Sequence, residues 1–228
     1  MLSRIYYQIE PRFPPIKVVK KLYCKILVKE PRRYKYLFEI IRKNKCRKIM
    51  EIGTWNGEHA LQMIEEAKRN FPPEEVQYYG FDLFELLDSE TASKEFSKSK
   101  IPPALEIVKE KLEKTNAEID LYQGDTRETL PRVVNELPKM DFVFIDGGHS
   151  IEAIQNDWTY TQKVMDEKTI VIFDDYWNRD DAGCKRVVEG IDKTKFEAKI
   201  LPIQDKFKGE LGMRELEINF VQVKKRGG

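Results

Sequence analysis

From residue 46 onward the chain alternates short apolar runs, rich in β-branched and aromatic residues, with amphipathic stretches of helical period. "RKIMEI", "VQYYGF", "EIDLYQ", "DFVFI" and "TIVIF" read as strands. "NGEHALQMIEEAKRN", "ALEIVKEKLEKT", "LPRVVNEL", "IEAIQNDWTYTQKV" and "CKRVVEGID" read as the helices that follow or join them. Two further strand-like pieces, "EAKILPI" and "INFVQVK", close the chain. Strand and helix alternating at this spacing predict an α/β fold, a parallel sheet covered on both faces. In such sheets ligands bind outside the carboxyl ends of the strands.

Two of these strands stop abruptly in acid, in "DFVFIDGGHS" and "TIVIFDDYW". A buried strand gains nothing from such a tip, because desolvating an unpaired carboxylate is costly. If the two strands are neighbours, Asp146, Asp174 and Asp175 converge at one edge of the sheet. Three carboxylates together repel unless a cation or protons compensate them. An oxygen-only ligand set suits a hard divalent ion such as Mg²⁺, which leaves room for substrate oxygens. His149 follows Asp146 by three residues, in a loop, and a histidine there can take a proton from a hydroxyl. Capping of the next helix and metal ligation are the alternatives for it.

The first strand-to-helix turn reads "MEIGTWNGEHA". Gly53 can adopt a backbone conformation closed to other residues, and Gly57 permits close packing where the helix begins. The glycines do not match the G-x-G-x-x-G dinucleotide spacing, and Glu51 before the turn suits a cationic ligand better than a pyrophosphate. Asp82, closing the second strand, can accept hydrogen bonds from ribose hydroxyls or cap the next element. Asp125 and Thr126, in "QGDTRE", contact an adenine or cap the helix beginning near Thr129.

Four successive strand ends, "MEIGTWNG", "GFDLFE", "QGDTRETLP" and "FIDGGHS", resemble those of class I S-adenosylmethionine-dependent methyltransferases. More narrowly, they resemble the metal-dependent O-methyltransferases related to catechol O-methyltransferase and to macrocin-type sugar O-methyltransferases. The likeness covers roughly residues 45–225. Trp55 stands where many class I enzymes carry a third glycine, and an aromatic residue there fits the catechol-like group. The resemblance implies a three-layer, doubly wound, Rossmann-like fold with a mostly parallel seven-stranded sheet and an antiparallel last strand. It implies that Glu51, Gly53 and Thr54 lie by the methionine part of the cofactor, with Gly57 at the start of the helix. It places Asp82 at the ribose, and Asp125 with Thr126 near the adenine. It makes Asp146, Asp174 and Asp175 the holders of Mg²⁺ or a similar divalent cation, and His149 the general base.

Composition bounds the rest. The 228 residues, 41% hydrophobic and 11% aromatic, suffice for one packed domain with an extension. Residues 1–50 carry 15 Lys or Arg against 3 Asp or Glu, and the remainder 25 against 36. A basic helical N-terminal extension over 1–45 on an acidic domain over 46–228 is therefore expected. Its bland reading is a solvated face; contact with anionic lipid, a phosphorylated substrate or another subunit is the disfavoured alternative. No nucleic-acid partner is expected, since the body is acidic and no basic stripe is interleaved with stacking aromatics. Cys24, Cys46 and Cys184 are odd in number, scattered and without metal spacing, which suits reduced thiols in a cytoplasmic protein. No apolar run reaches membrane-spanning length. The polar stretch over 88–103 is a candidate lid or a surface loop.

Other residues carry weaker readings. His59 is expected to be a surface or packing residue, and Asp157 to make a salt bridge or orient a catalytic group. Tyr176 and Trp177 form an acceptor wall or belong to the core, and Asp180 with Asp181 look like a helix start. The combined expectation is a Mg²⁺-dependent O-methyltransferase acting on a hydroxyl of a small molecule or sugar, with a homo-oligomer left open. A metal-dependent hydroxylase or hydrolase-like relative, and a non-catalytic cofactor-binding interaction module, are the alternatives.

Overall fold

The structure is a computed structural model and describes residues 31–95 and 102–227. The chain divides into two units, the second of which, Arg33–Gly228, carries the fold. The helix expected over residues 17–29 lies outside the described residues. Helix α1 (Tyr34–Asn44) opens the second unit, and its stripe of Tyr34, Leu37 and Ile41 is buried. Leu37 and Ile41 are fully enclosed among Ile49, Ala60, Met63 and Phe142. The boundary expected at residue 45 therefore moves to Arg33, because the apolar face of α1 is part of the core.

The strands are β1 (Lys48–Ile52), β2 (Gln77–Asp82), β3 (Glu118–Gln123), β4 (Phe142–Ile145), β5 (Ile170–Trp177), β6 (Phe196–Lys208) and β7 (Glu215–Lys225). They form one sheet in the order β3-β2-β1-β4-β5-β7-β6. The pairings among β1 to β5 are all parallel, and β7 runs antiparallel to both β5 and β6. This is the expected Rossmann-like sheet with an antiparallel last strand. Alternation along each strand divides the core. Ile49 and Tyr78 point to one face with α1, α2 (Glu58–Ala67) and α4 (Leu105–Glu113). Met50 and Tyr79 point to the other, with α5 (Thr126–Val133), α6 (Ile151–Val164) and α7 (Lys185–Glu189).

Three local differences from expectation have identifiable causes. Helix α5 starts at Thr126, not near Thr129, because the Asp125 carboxylate caps it by accepting from the Arg127 N–H at 2.8 Å. The 88–103 segment contains a short helix, α3 (Ser89–Lys94), capped by Asp88. Strand β5 does not stop at Phe173. It continues to Trp177 across a bulge, where Phe173 faces Val221 and Tyr176 faces Asn219, so Asp174 and Asp175 together oppose one residue of β7. Asp175 takes φ +58° there. The two acids thus sit on a bulge within the strand, a device that re-aims side chains.

Chain order reverses between β1 and β4, which opens a crevice at their carboxyl ends. The backbones approach so closely there that a Cβ on Gly53 would lie 1.9 Å from the Asp146 carbonyl oxygen. Among the described residues no helix is long and apolar enough to cross a membrane.

Candidate functional site

Glu51 is completely buried beneath the glycine turn, on the α1/α2 face of β1. The Tyr78 hydroxyl donates to its Oε2, and Thr54 Oγ1 lies 3.0 Å from the same hydroxyl. Since Tyr78 has one proton to give, Thr54 is the donor in the second contact. Glu51 Oε1 is buried with no hydrogen-bond partner. Burial pushes the carboxyl up to about 8, against the lowering effect of Tyr78. An acid held in this way, next to a cleft, gains from a donor or cation that arrives with a ligand.

Asp82 organises the neighbouring loop. Its Oδ2 accepts from the Trp55 N–H at 2.7 Å and its Oδ1 from the Phe84 N–H at 2.6 Å. Each oxygen keeps a lone pair for an outside donor, and burial raises the carboxyl despite these bonds. Trp55 adopts φ +46°, the left-handed region that a glycine occupies freely. Further along, Asp125 pairs with Arg127 at 2.5 Å besides capping α5. Asp157 on α6 is buried and raised to about 7 by burial, held by Thr126 and Asn156. It bonds these neutral neighbours where the sequence suggested a salt bridge, because its face of α6 turns inward beneath the Gly147 loop.

The three acids of the second cluster do come together, since Asp146, Asp174 and Asp175 line one small cavity with Gly147 and Cys184. Their partners are the chain's own side chains. Arg33 Nε donates to Asp174 Oδ1 at 2.9 Å and Nη2 to Oδ2 at 2.8 Å, a two-pronged buried pair. The Tyr34 hydroxyl lies 3.0 Å from Asp174 Oδ2 and 3.5 Å from Asp146 Oδ2. Asp175 accepts from Trp177 Nε1 at 3.0 Å and pairs with His149 Nε2 at 3.0 Å. Burial and the two neighbouring aspartates push Asp146 well above the carboxylate range. Burial works to raise Asp175 as well, but His149, Arg33 and the Trp177 N–H together hold it below that range.

His149 is fixed at both ring nitrogens. Nδ1 lies 2.6 Å from the Glu95 carbonyl oxygen, opposite the Asp175 contact. Both partners are acceptors, so both nitrogens carry hydrogen and the ring is an imidazolium. Burial opposes this charge, yet Asp175 raises the ring to about 9. Glu95 also takes the Ser150 N–H at 2.7 Å and the Ser150 hydroxyl at 2.8 Å, anchoring the loop where α3 ends.

These contacts test the expected metal. Among the described residues no group of three or more acidic, His or Cys side chains is arranged to hold a metal ion. Both oxygens of Asp174 are already engaged by the Arg33 guanidinium, and those of Asp175 by Trp177 and His149, so a metal ion would have to compete with buried donors and cations for them. The cavity between the acids is about 10 Å³, room for one water. A divalent ion does not fit the residues as they stand.

The sequence singled out the acids and His149 but missed Arg33, Tyr34, Tyr78 and Glu95. Of the remaining candidates, Trp177 is core, packed with Ala182, Leu216 and Ile218. Tyr176 is half-buried and donates to Glu189 at 3.2 Å. His59 stacks on Tyr34, with centroids 4.0 Å apart. Asp180 and Asp181 pair with Lys185 and Arg179 and do not begin a helix, since α7 is preceded by Cys184.

A family profile describing a methyltransferase domain matches residues 50–176, more than half of the chain. A search of the curated proteins found no match. Solved structures of the same fold include an O-methyltransferase from Bacillus cereus in complex with SAH, 17% identical at TM-score 0.60, covering 92% of this chain and 88% of that one. TomG, an O-methyltransferase from Streptomyces achromogenes involved in tomaymycin synthesis and bound to SAM, is 17% identical at TM-score 0.56, covering 92% and 96%. The calicheamicin methyltransferase CalS11 is 16% identical at TM-score 0.61, covering 94% and 88%. With its seven-stranded sheet, its glycine turn at the switch point and this match, the chain belongs to the methyltransferase domain family.

Proposed function

We propose that this chain is an S-adenosylmethionine-dependent O-methyltransferase acting on a hydroxyl of a small molecule or sugar. The observation that carries the reading is Glu51: a buried carboxyl with one partnerless oxygen, set under the glycine turn at the sheet's switch point and able to ionise once a cation lies beside it. That arrangement fits the ammonium end of a methionine group, and Asp82 offers its remaining lone pairs to ribose hydroxyls. Asp125 and Thr126, at the start of α5, are the residues for an adenine, and Thr126 also bonds the buried Asp157. When bound, S-adenosylmethionine supplies an electrophilic methyl on a sulfonium.

The chain's own residues manage the acceptor. His149 is the proton acceptor for the hydroxyl, but only after releasing the proton that Asp175 and the Glu95 carbonyl hold on it. Trp177 and Asp175 fix the ring's orientation. The acidic body supports a small-molecule acceptor over a nucleic acid. Buried free thiols at Cys46 and Cys184 support a cytoplasmic setting.

Calorimetric titration of the full chain with S-adenosylmethionine tests the reading. Binding is expected, weakened at least about tenfold by Asp82→Ala, which removes a charged hydrogen-bond acceptor. No binding by the intact chain would end both the methyl-transfer reading and the idea of a non-catalytic cofactor module. Binding without turnover across a broad panel of hydroxylated acceptors would favour the module.

A further inference from the structure

We propose that the Arg33 guanidinium is the resident cation of this site, standing in for the divalent ion that the family resemblance led us to expect, so that the chain works without a divalent metal. The inference deepens the methyl-transfer reading and rests on it, but its test measures metal occupancy.

Four observations carry it. The fork of Arg33 engages both oxygens of Asp174, which a chelated ion would need. Arg33 is anchored a second time, by Asp205 on β6, through Nη1 at 3.2 Å and its own backbone N–H at 3.1 Å. Its guanidinium lies over the rings of Tyr34 and Phe220, 4.9 and 5.4 Å from their centroids, and its side chain is only 6% exposed. The residue is thus built in, and a bidentate, stacked guanidinium is more than a passing counter-ion.

Charge balance completes the argument. Arg33 and the His149 imidazolium answer Asp174 and Asp175, while Asp146 faces the Tyr34 hydroxyl. An entering divalent ion would have to break the Arg33 fork and then sit beside two displaced, buried cations, an arrangement Coulomb repulsion opposes strongly. It would also need room for coordinating waters, where the space between the acids holds one.

Titration of the EDTA-treated full chain with Mn²⁺, followed by the electron paramagnetic resonance signal of the free ion, tests this. Wild-type protein is expected to show no stoichiometric Mn²⁺ site, and its S-adenosylmethionine affinity in EDTA should equal that in Mg²⁺. Arg33→Ala should gain one Mn²⁺ site per chain, and Arg33→Lys, which keeps the charge, should not. Stoichiometric Mn²⁺ binding by the wild type would overturn the proposal, as would a folded Arg33→Ala that gains no site or an Arg33→Lys that does. If Arg33→Ala does not fold, the wild-type and lysine titrations still decide. Failure to bind S-adenosylmethionine would strike the methyl-transfer reading and leave the Mn²⁺ result to be judged separately.

Discussion

The Tyr34 hydroxyl stands 3.0 Å from Oδ2 of Asp174 and 3.5 Å from Oδ2 of Asp146, so the first residue of α1 ties the bulge of β5 to the end of β4. Tyr34→Phe keeps the stack on His59 and the edge contacts with Phe144 and Phe220. It removes only the proton the two carboxyls share. Leaving buried acceptors short of a donor costs about 1–3 kcal/mol. A urea midpoint unchanged from wild type would show that the hydroxyl contributes nothing.

His149 gives the chain a signature at alkaline pH. Its ring is raised from 6.5 to about 9 in the folded state. The ion pair's stabilisation is therefore complete below about pH 6.5 and is lost as pH rises through about 9, an effect on the order of 3 kcal/mol. Urea unfolding of wild type at pH 6.5 and 9.5 should show this loss, and His149→Gln should flatten it. In turnover the same group predicts a rate that climbs toward pH 9, since the ring accepts a proton only once it has lost one. A rate already flat from neutral pH would remove His149 as the base.

Glu51 opposes stability for the sake of binding. Its carboxyl, raised from 4.5 to about 8, stays protonated in the fold while the unfolded chain ionises. Its favourable contribution is present below pH 4.5 and disappears as pH rises to about 8. Glu51→Gln abolishes that slope, so at pH 8 the variant should be more stable by about 1–3 kcal/mol, the scale of an unsatisfied buried group. Calorimetry should show its affinity for S-adenosylmethionine reduced at least about tenfold. A variant that is more stable and binds equally well would dissociate Glu51 from the cofactor.

Gly53→Ala is expected to be the most damaging small change at the turn. The added methyl would meet the Asp146 carbonyl oxygen at 1.9 Å and the Gly147 nitrogen at 2.8 Å, at a backbone φ of +96°. Backbone atoms of β4 cannot yield as a flexible side chain would, so a loss above about 4 kcal/mol is expected. Thermal unfolding by circular dichroism will show it. A melting temperature within a few degrees of wild type would mean the strands separate more easily than their packing implies.

Several parts of the fold were legible because their signals are local. The continuous apolar runs of "DFVFI" and "TIVIF", buried on both faces of the sheet, and the helical period of "IEAIQNDWTYTQKV" are set by what each segment buries. The convergence of Asp146, Asp174 and Asp175 followed from topology, since parallel strands place their carboxyl ends at one edge. The bulge in β5 was not legible, because it is defined by its pairing with β7, some 45 residues away.

The amino-acid order alone therefore determined the layered sheet, the glycine turn and a cluster of carboxylates needing positive charge. Tertiary structure decided where that charge comes from. Arg33 lies 141 residues before Asp174, in a basic stretch indistinguishable by composition from a solvated arm. Only burial turns such a side chain into the cation of a site, because removal from water makes the nearest opposite charge the partner that counts.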